Sequence, residues 1–85
     1  MDTRQRVTEA LNICVAEVFQ KDKEYIAEHP ELDFSIDLHA NSMQYMPLIA
    51  RLEDEFDIVV DGYAFQKKCR TIEDAINLVT KLCAE

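Results

Sequence analysis

Few side chains in this sequence are placed to do chemistry, and Ser42 is the best placed of them. It stands in the segment Asp37-Leu-His-Ala-Asn-Ser-Met43. Asn41 is a good helix N-cap, and Gln44 follows three residues later, which is a capping-box arrangement. The pattern predicts that the Ser42 hydroxyl lies at the start of a helix. Taken alone, this describes a polar residue where serine is common anyway.

The histidines and cysteines offer no second site. Two histidines with scattered cysteines, without a CxxC pair, match neither a metal set nor a Cys/His catalytic pair nor a disulfide framework. We therefore predict no metal site and no catalytic residue. Cys14 and Cys83 fall within apolar patterns and are expected to be buried, reduced thiols. The residues concerned are His29, His39, Cys14, Cys69 and Cys83.

Length and charge limit the classes of function. A chain of 85 residues accommodates one domain, residues 1–85, with a thin core, which favours a module that presents a group to other proteins over a self-contained enzyme. A net charge of −8 makes nucleic acid and membrane surfaces poor partners and basic protein patches good ones, although the charge could serve solubility alone. The segment Met1–Arg6 lacks the apolar core of a signal peptide, so we expect a cytoplasmic protein.

Apolar spacing predicts an all-α fold. One helical stripe runs from Thr3 to about Gln20, and the last helix begins after Thr71, with Asp74 completing a capping-box-like start. The polar stretch Lys21–Pro30 separates the first helix from an ordered loop. We expect Tyr25 and Ile26 to pin the polar stretch to the core, and Phe34, Ile36 and Leu38 to anchor the loop.

The second helix is predicted to begin near Asn41, and Pro47 is incompatible with a regular helix at its position. A proline there lacks a needed N–H and crowds the carbonyl of Met43, so we predict a distorted or kinked first turn. The run Ile58–Val60 ends this helix, a turn follows at Asp61-Gly62, and Tyr63–Lys68 is predicted as a short helix. The expected fold is a small bundle of three main helices plus one short helix, with a long ordered loop between helices one and two.

Three segments in order resemble the acyl carrier proteins. They are Asp37-Leu-His-Ala-Asn-Ser-Met43, Leu48-Ile-Ala-Arg-Leu-Glu-Asp-Glu-Phe-Asp-Ile58 and Thr71-Ile-Glu-Asp-Ala-Ile76. That family shows Asp-Leu-Gly-x-Asp-Ser-Leu, then a helix ending Leu-Glu-x-x-Phe, then a final helix opening Thr-(Val/Ile)-x-x-Ala. The resemblance covers about Phe34 to Val79, and the combination at this spacing is fairly specific.

The resemblance implies a covalent cofactor and a set of partner enzymes. A transferase would attach 4′-phosphopantetheine through a phosphodiester to Ser42, at a helix N-terminus whose free N–H groups suit a phosphate. The arm would carry acyl groups as thioesters to acyl-transfer, ligase or ketosynthase enzymes of fatty-acid, polyketide or other specialised synthesis. The chain would be a carrier, not an enzyme, and a monomer.

The sequence departs from the family pattern around Ser42. Asn41 replaces the usual aspartate, His39 the usual glycine, and Met43 the usual leucine. A histidine at position 39 would be sterically strained if the backbone there needs positive φ. The early second helix lacks the usual carboxylates, so the partner set could differ, or these residues could be ordinary solvated surface. The predicted partner-binding residues are Asn41, Met43, Gln44, Arg51, Glu53 and Asp54.

The family often shelters an acyl chain inside the bundle, and two alternatives to an acyl carrier stay open. The predicted lining of such a cavity is Leu48, Leu52, Phe56, Val60 and Tyr63. The first alternative is an aminoacyl or peptidyl carrier, which shares the fold. The second is a carrier-like interaction module that is never modified.

Overall fold

The computed structural model describes residues 2–84, which form five α-helices. They confirm the predicted all-α class, with one short helix more than expected. None of the helices in this range is long and apolar enough to cross a lipid bilayer. The helices are α1 (Thr3–Phe19), α2 (Lys23–Glu28), α3 (Ser42–Phe56), α4 (Gly62–Lys68) and α5 (Ile72–Ala84).

Helix α1 is the centre of the bundle, because it packs against α2, α3 and α5. Asp2 caps it: the carboxylate accepts from the Gln5 amide, and the Gln5 side chain accepts in return from the Asp2 amide. The chain leaves the helix at Gln20 in the left-handed conformation, which is a common helix ending. The buried face follows the predicted spacing, at Val7, Leu11, Cys14 and Val15, with Val18 partly buried.

Helix α2 lies within the stretch that the sequence indicated only as polar. The Asp22 carboxylate caps it by accepting from the Glu24 amide at 2.9 Å. Ile26 is fully buried and pins the segment to the core as predicted, whereas Tyr25 is exposed, with its ring 4.8 Å from that of His29 in a tilted arrangement. With a single buried residue in six, the helix has no apolar periodicity to predict it from.

Helix α3 begins at Ser42 and includes Pro47 at its sixth position without a break. This helix is the predicted second helix, and the distorted or kinked first turn expected there stays a prediction. Its core side carries Tyr45, Leu48, Ile49, Leu52 and Phe56, and Asp57 ends it in the left-handed conformation.

The last two helices begin with side-chain caps. The Asp61 carboxylate accepts from the amides of Tyr63 and Ala64, so the predicted turn at Asp61-Gly62 is the N-cap of α4. The predicted pairing of Thr71 with Asp74 is confirmed: the Asp74 amide donates to the Thr71 hydroxyl at 3.1 Å, and the Thr71 amide donates to the Asp74 carboxylate at 3.1 Å.

The loop before α3 is held against the junction of α4 and α5. The Phe34 amide donates to the Arg70 carbonyl at 2.9 Å, and the Ile72 amide donates to the Leu32 carbonyl at 3.1 Å. Phe34 and Leu38 are buried as predicted. Ile36 is 71% exposed, so its prediction as an anchor is wrong. The chain turns repeatedly here, and the strand-like alternation of side chains does not apply.

Candidate functional site

Ser42 is exposed and is the first residue of α3. The Asn41 side-chain oxygen accepts from the amides of Met43 at 2.9 Å and Gln44 at 3.1 Å. The Gln44 side chain accepts from the Asn41 amide at 3.1 Å, which completes the predicted capping box. Among the described residues, none makes a hydrogen bond with the Ser42 hydroxyl. The hydroxyl is therefore available to another molecule on a helix end that its neighbours fix.

Asp33 organises the loop that leads to Ser42. Its side chain is nearly buried, and one carboxylate oxygen accepts from the amides of Ser35 at 2.8 Å and Ile36 at 2.9 Å. The other oxygen lies 3.2 Å from the Arg70 guanidinium. Sequence reasoning did not identify this residue, although an Asp side chain commonly accepts from the backbone amide two residues on, which is an Asx turn.

Aromatic rings connect this loop to the first turns of α3 and to α4. The Phe34 ring lies 6.0 Å from that of Tyr45 and 6.1 Å from that of Phe65, and the latter two are 6.1 Å apart. These tilted and edge-on arrangements are ones that aromatic pairs favour. The cluster lies under the helix turn that carries Ser42, so it fixes that turn against the core.

His39 adopts φ 55°, three residues before Ser42. This is the left-handed region in which a glycine has no steric cost and other residues do. The positive φ considered for this position from the sequence is therefore present, and His39 occupies it as an exposed loop residue.

The predicted partner-binding residues differ in whether their side chains are already bound to other groups of the protein. Arg51 is exposed, but its guanidinium binds the Glu17 carboxylate on α1. Glu53 is half-buried and accepts from the Val60 amide at 2.9 Å, so it holds the end of α3 in place. Asp54 is exposed and borders a groove of about 610 Å³ between α1 and α3.

A second groove adjoins Ser42. It has a volume of about 480 Å³ and runs between α1 and α3. Val18, Met43 and Pro47 give it apolar walls. The predicted partner residues Asn41, Met43, Gln44 and Arg51 all border it.

The residues predicted to line an acyl cavity divide into two groups. Leu48, Leu52, Phe56 and Val60 are buried in the core. Tyr63 is 69% exposed, and the Lys67 ammonium lies 4.8 Å from its ring centroid. Tyr63 is the second residue of α4 and its side chain lies at the surface, so it does not lie in the interior with the other four.

The three cysteines are free thiols, and burial lowers the acidity of Cys14 and Cys69. Desolvation raises the pKa of Cys69 to about 12 and also raises that of Cys14. Cys14 is buried as predicted, whereas Cys83 is only half-buried because it lies near the end of α5. Within residues 2–84 there is no cluster of three or more histidine, cysteine or acidic residues that could hold a metal ion.

The model of the phosphopantetheine attachment site family matches residues 9–79, which is most of the chain. The chain belongs to that family. Carriers of this family bind 4′-phosphopantetheine covalently and work with phosphopantetheinyl transferases and with synthase or ligase enzymes. The match spans α2, α3 and α4 whole and includes Ser42. It confirms the resemblance found in the sequence and the phosphopantetheine cofactor.

The surroundings of Ser42 fit a phosphopantetheine arm. Attachment needs an accessible hydroxyl, and the Ser42 hydroxyl is exposed and without a partner among the described residues. A phosphodiester there would lie at a helix N-terminus without an acidic residue in the first turn, where N–H groups and the positive dipole end favour an anion. The groove that borders the same turn combines apolar walls with two amide side chains and the Glu17–Arg51 ion pair.

Proposed function

We propose that Ser42 carries the 4′-phosphopantetheine arm and that the protein transports acyl groups between enzymes. The observation that supports this most directly is the free, exposed hydroxyl at the first position of a capped helix within the family match. When bound, the arm supplies a terminal thiol on which an acyl group is held as a thioester. In this role the protein is a substrate of its partners and catalyses nothing itself.

The residues around Ser42 have positioning roles in this proposal. Asn41 and Gln44 hold the helix end, and the rings of Phe34 and Tyr45 hold the turn beneath it. A transferase approaching Ser42 meets the exposed side chain of Met43 first, with Gln44 and Asn41 beside it. Asp54, further along α3, is a secondary contact for a larger partner.

The cargo and its pathway are part of the proposal. We infer acyl cargo from the Leu52-Glu-Asp-Glu-Phe56 ending of α3 and the acidity of the chain, and we place its use in fatty-acid, polyketide or other specialised synthesis in the cytoplasm, by a monomer. An aminoacyl carrier is the alternative. The core positions Leu48, Leu52, Phe56 and Val60 are closely packed, so an acyl chain would enter between α3 and α4 only if they separate.

Intact-mass analysis tests the attachment. The chain is co-expressed with a broad-specificity phosphopantetheinyl transferase, and we expect a mass gain of one phosphopantetheine that is absent in Ser42→Ala. The chain has two serines, so Ser35→Ala, at the other exposed serine, is the matched control and should keep the gain. A folded protein that gains no mass, or a gain that persists in Ser42→Ala, would refute the proposal.

The same spectra test the cargo. Additional mass on the modified species should be released by neutral hydroxylamine, which cleaves thioesters, and its value separates fatty or polyketide acyl groups from amino acids. Amino acid masses would support the aminoacyl alternative and contradict acyl cargo. A folded chain that is never modified under any condition would support the interaction module.

A further inference from the structure

The groove that adjoins Ser42 runs along α3 away from the attachment position. Asn41, Met43 and Gln44 border it at the start of the helix, and Arg51 borders it nine residues beyond Ser42. At a rise of 1.5 Å per residue, the two ends lie about 14 Å apart along the helix axis. We call this space of about 480 Å³ the Ser42 groove. A flexible group attached to the Ser42 hydroxyl has the groove directly beside it.

Two side chains at the Ser42 end of the groove have unused hydrogen-bond donors. The side-chain oxygens of Asn41 and Gln44 accept from backbone amides in the capping box. Their NH2 groups make no hydrogen bond to another group within residues 2–84. Because an NH2 group has two N–H donors, this end of the groove offers donors to the carbonyl groups of a ligand.

Pro47 leaves an unused acceptor in the wall of the same groove. In a regular α-helix, each carbonyl accepts from the amide four residues later and points along the axis toward it. Position 47 lacks that amide hydrogen, so the Met43 carbonyl has no helical donor. Met43 and Pro47 both border the Ser42 groove, which places this oxygen at its wall. Proline is the least favourable residue in a helix interior, and α3 contains it where it frees a carbonyl beside the groove.

We infer that the Ser42 groove holds the pantetheine part of the arm attached at Ser42, and that Pro47 keeps the Met43 carbonyl free to accept a hydrogen bond from it. The inference rests on the proposed function, because the arm must be attached at Ser42 to lie in the groove. Attachment raises the local concentration of the arm to roughly the millimolar range, so a few weak contacts are sufficient to hold it.

The chemistry of pantetheine matches the groups that border the groove. Pantetheine contains two amide groups and a carbon that bears two methyl groups. Its amide N–H groups can donate to the Met43 carbonyl, and its carbonyl groups can accept from the NH2 groups of Asn41 and Gln44. Its methyl groups can contact the apolar side chains of Val18 and Pro47.

The charges at the groove favour an uncharged occupant. Among the described residues that border it, Glu17 and Arg51 alone are charged, and they form an ion pair with each other. The pair has no net charge and lies toward the end of the groove that is remote from Ser42. A charged ligand would find no free opposite charge there, whereas the pantetheine part of the arm carries no charge.

Nuclear magnetic resonance of the modified chain tests the inference. The full chain is isotopically labelled and then modified with unlabelled coenzyme A, so that isotope-filtered spectra detect protein protons close to the arm. We expect nuclear Overhauser effects from the arm methyl groups to the methyl groups of Val18 and Met43. An arm that contacts no residue of α1, or that contacts Val60 and Tyr63 instead, would overturn the inference.

Pro47→Ala separates the role of the Met43 carbonyl from the rest of the groove. Alanine restores the amide hydrogen, so the carbonyl becomes bonded within the helix. The ratio of bound to free arm should fall about fivefold, which is the factor that one ordinary hydrogen bond contributes. The difference in the Val18 methyl shifts between the modified and unmodified forms measures this ratio. Met46→Ala is the matched control, because Met46 is exposed on the same helix but does not border the groove, and it should leave the ratio unchanged.

The outcomes separate the inference from the proposed function. A folded wild-type chain whose intact mass shows no arm refutes the attachment at Ser42. A wild-type chain that carries the arm, but without contacts to Val18, overturns the inference alone. If the contacts are present and Pro47→Ala retains the wild-type ratio, the Met43 carbonyl is not an acceptor for the arm, and the role inferred for Pro47 is wrong.

Discussion

Replacing Pro47 with alanine is expected to stabilise the protein. Pro47 is exposed and occupies the sixth position of α3. Because proline has no amide hydrogen, the Met43 carbonyl one turn earlier lacks its usual helical donor. In a regular helix interior, proline is about 3 kcal/mol less favourable than alanine. Alanine also makes the unfolded chain more flexible, which offsets up to about 1 kcal/mol of that difference. We therefore expect a gain of about 2 kcal/mol in the free energy of unfolding.

Urea denaturation and thermal unfolding measure this gain. In a domain of this size, about 2 kcal/mol corresponds to a rise of roughly 10 °C in Tm. Met46→Ala is the matched control, because it changes an exposed neighbour in the same helix and should shift stability by no more than a few tenths of a kcal/mol. A Pro47→Ala protein that is no more stable than the wild type would show that α3 accommodates the proline without cost, and would refute the reasoning.

Three further changes test other parts of the structure. Burial raises the pKa of Cys69 to about 12 from 9.0, so the folded state keeps a proton that the unfolded state loses. The free energy of unfolding should therefore be unaffected below pH 9 and should fall by up to about 1.4 kcal/mol per pH unit as the pH rises from 9 toward 12. Urea denaturation at a series of pH values measures this slope, which should be smaller in Cys69→Ala. Asp33→Ala should lower the free energy of unfolding by about 2–4 kcal/mol, because the Ser35 and Ile36 amides lose their acceptor. Asp33→Asn keeps an acceptor oxygen and should lower it less. Equal losses in the two variants would contradict this reasoning. His39→Gly should raise the free energy of unfolding by about 1 kcal/mol by relieving the left-handed backbone, and a loss of stability would show that the histidine side chain contributes more than its backbone costs.

Local patterns predicted the helix ends best. The capping boxes at Asn41 and Thr71 were found from residues three apart, and both are present because the side chains that form them are near neighbours in the chain. The positive φ at His39 was considered for a similar reason, since a single position determines it. These features need no knowledge of the rest of the molecule.

Features that depend on distant contacts were not predictable. Asp33 faces Arg70 only after the chain has folded back, and the sequence does not indicate that meeting. Ile36 follows an alternating pattern, but the loop turns and leaves it in water. The position of Tyr63 depends on where the Asp61 cap begins α4. The attachment at Ser42 stays a prediction, because accessibility is necessary for modification and not sufficient.

The hydrogen bonds between the loop and the α4–α5 junction bear on protein synthesis. They join Pro30, Leu32 and Phe34 to residues that lie about 40 positions later in the chain. Closing so long a loop costs entropy that the local helices do not repay, so the loop is expected to become ordered only after the chain has passed Arg70. A released chain that is truncated before Arg70 should accordingly be a poor transferase substrate. The chain of residues 1–85 should react normally, and modification of the truncated chain at the full rate would contradict this order of events.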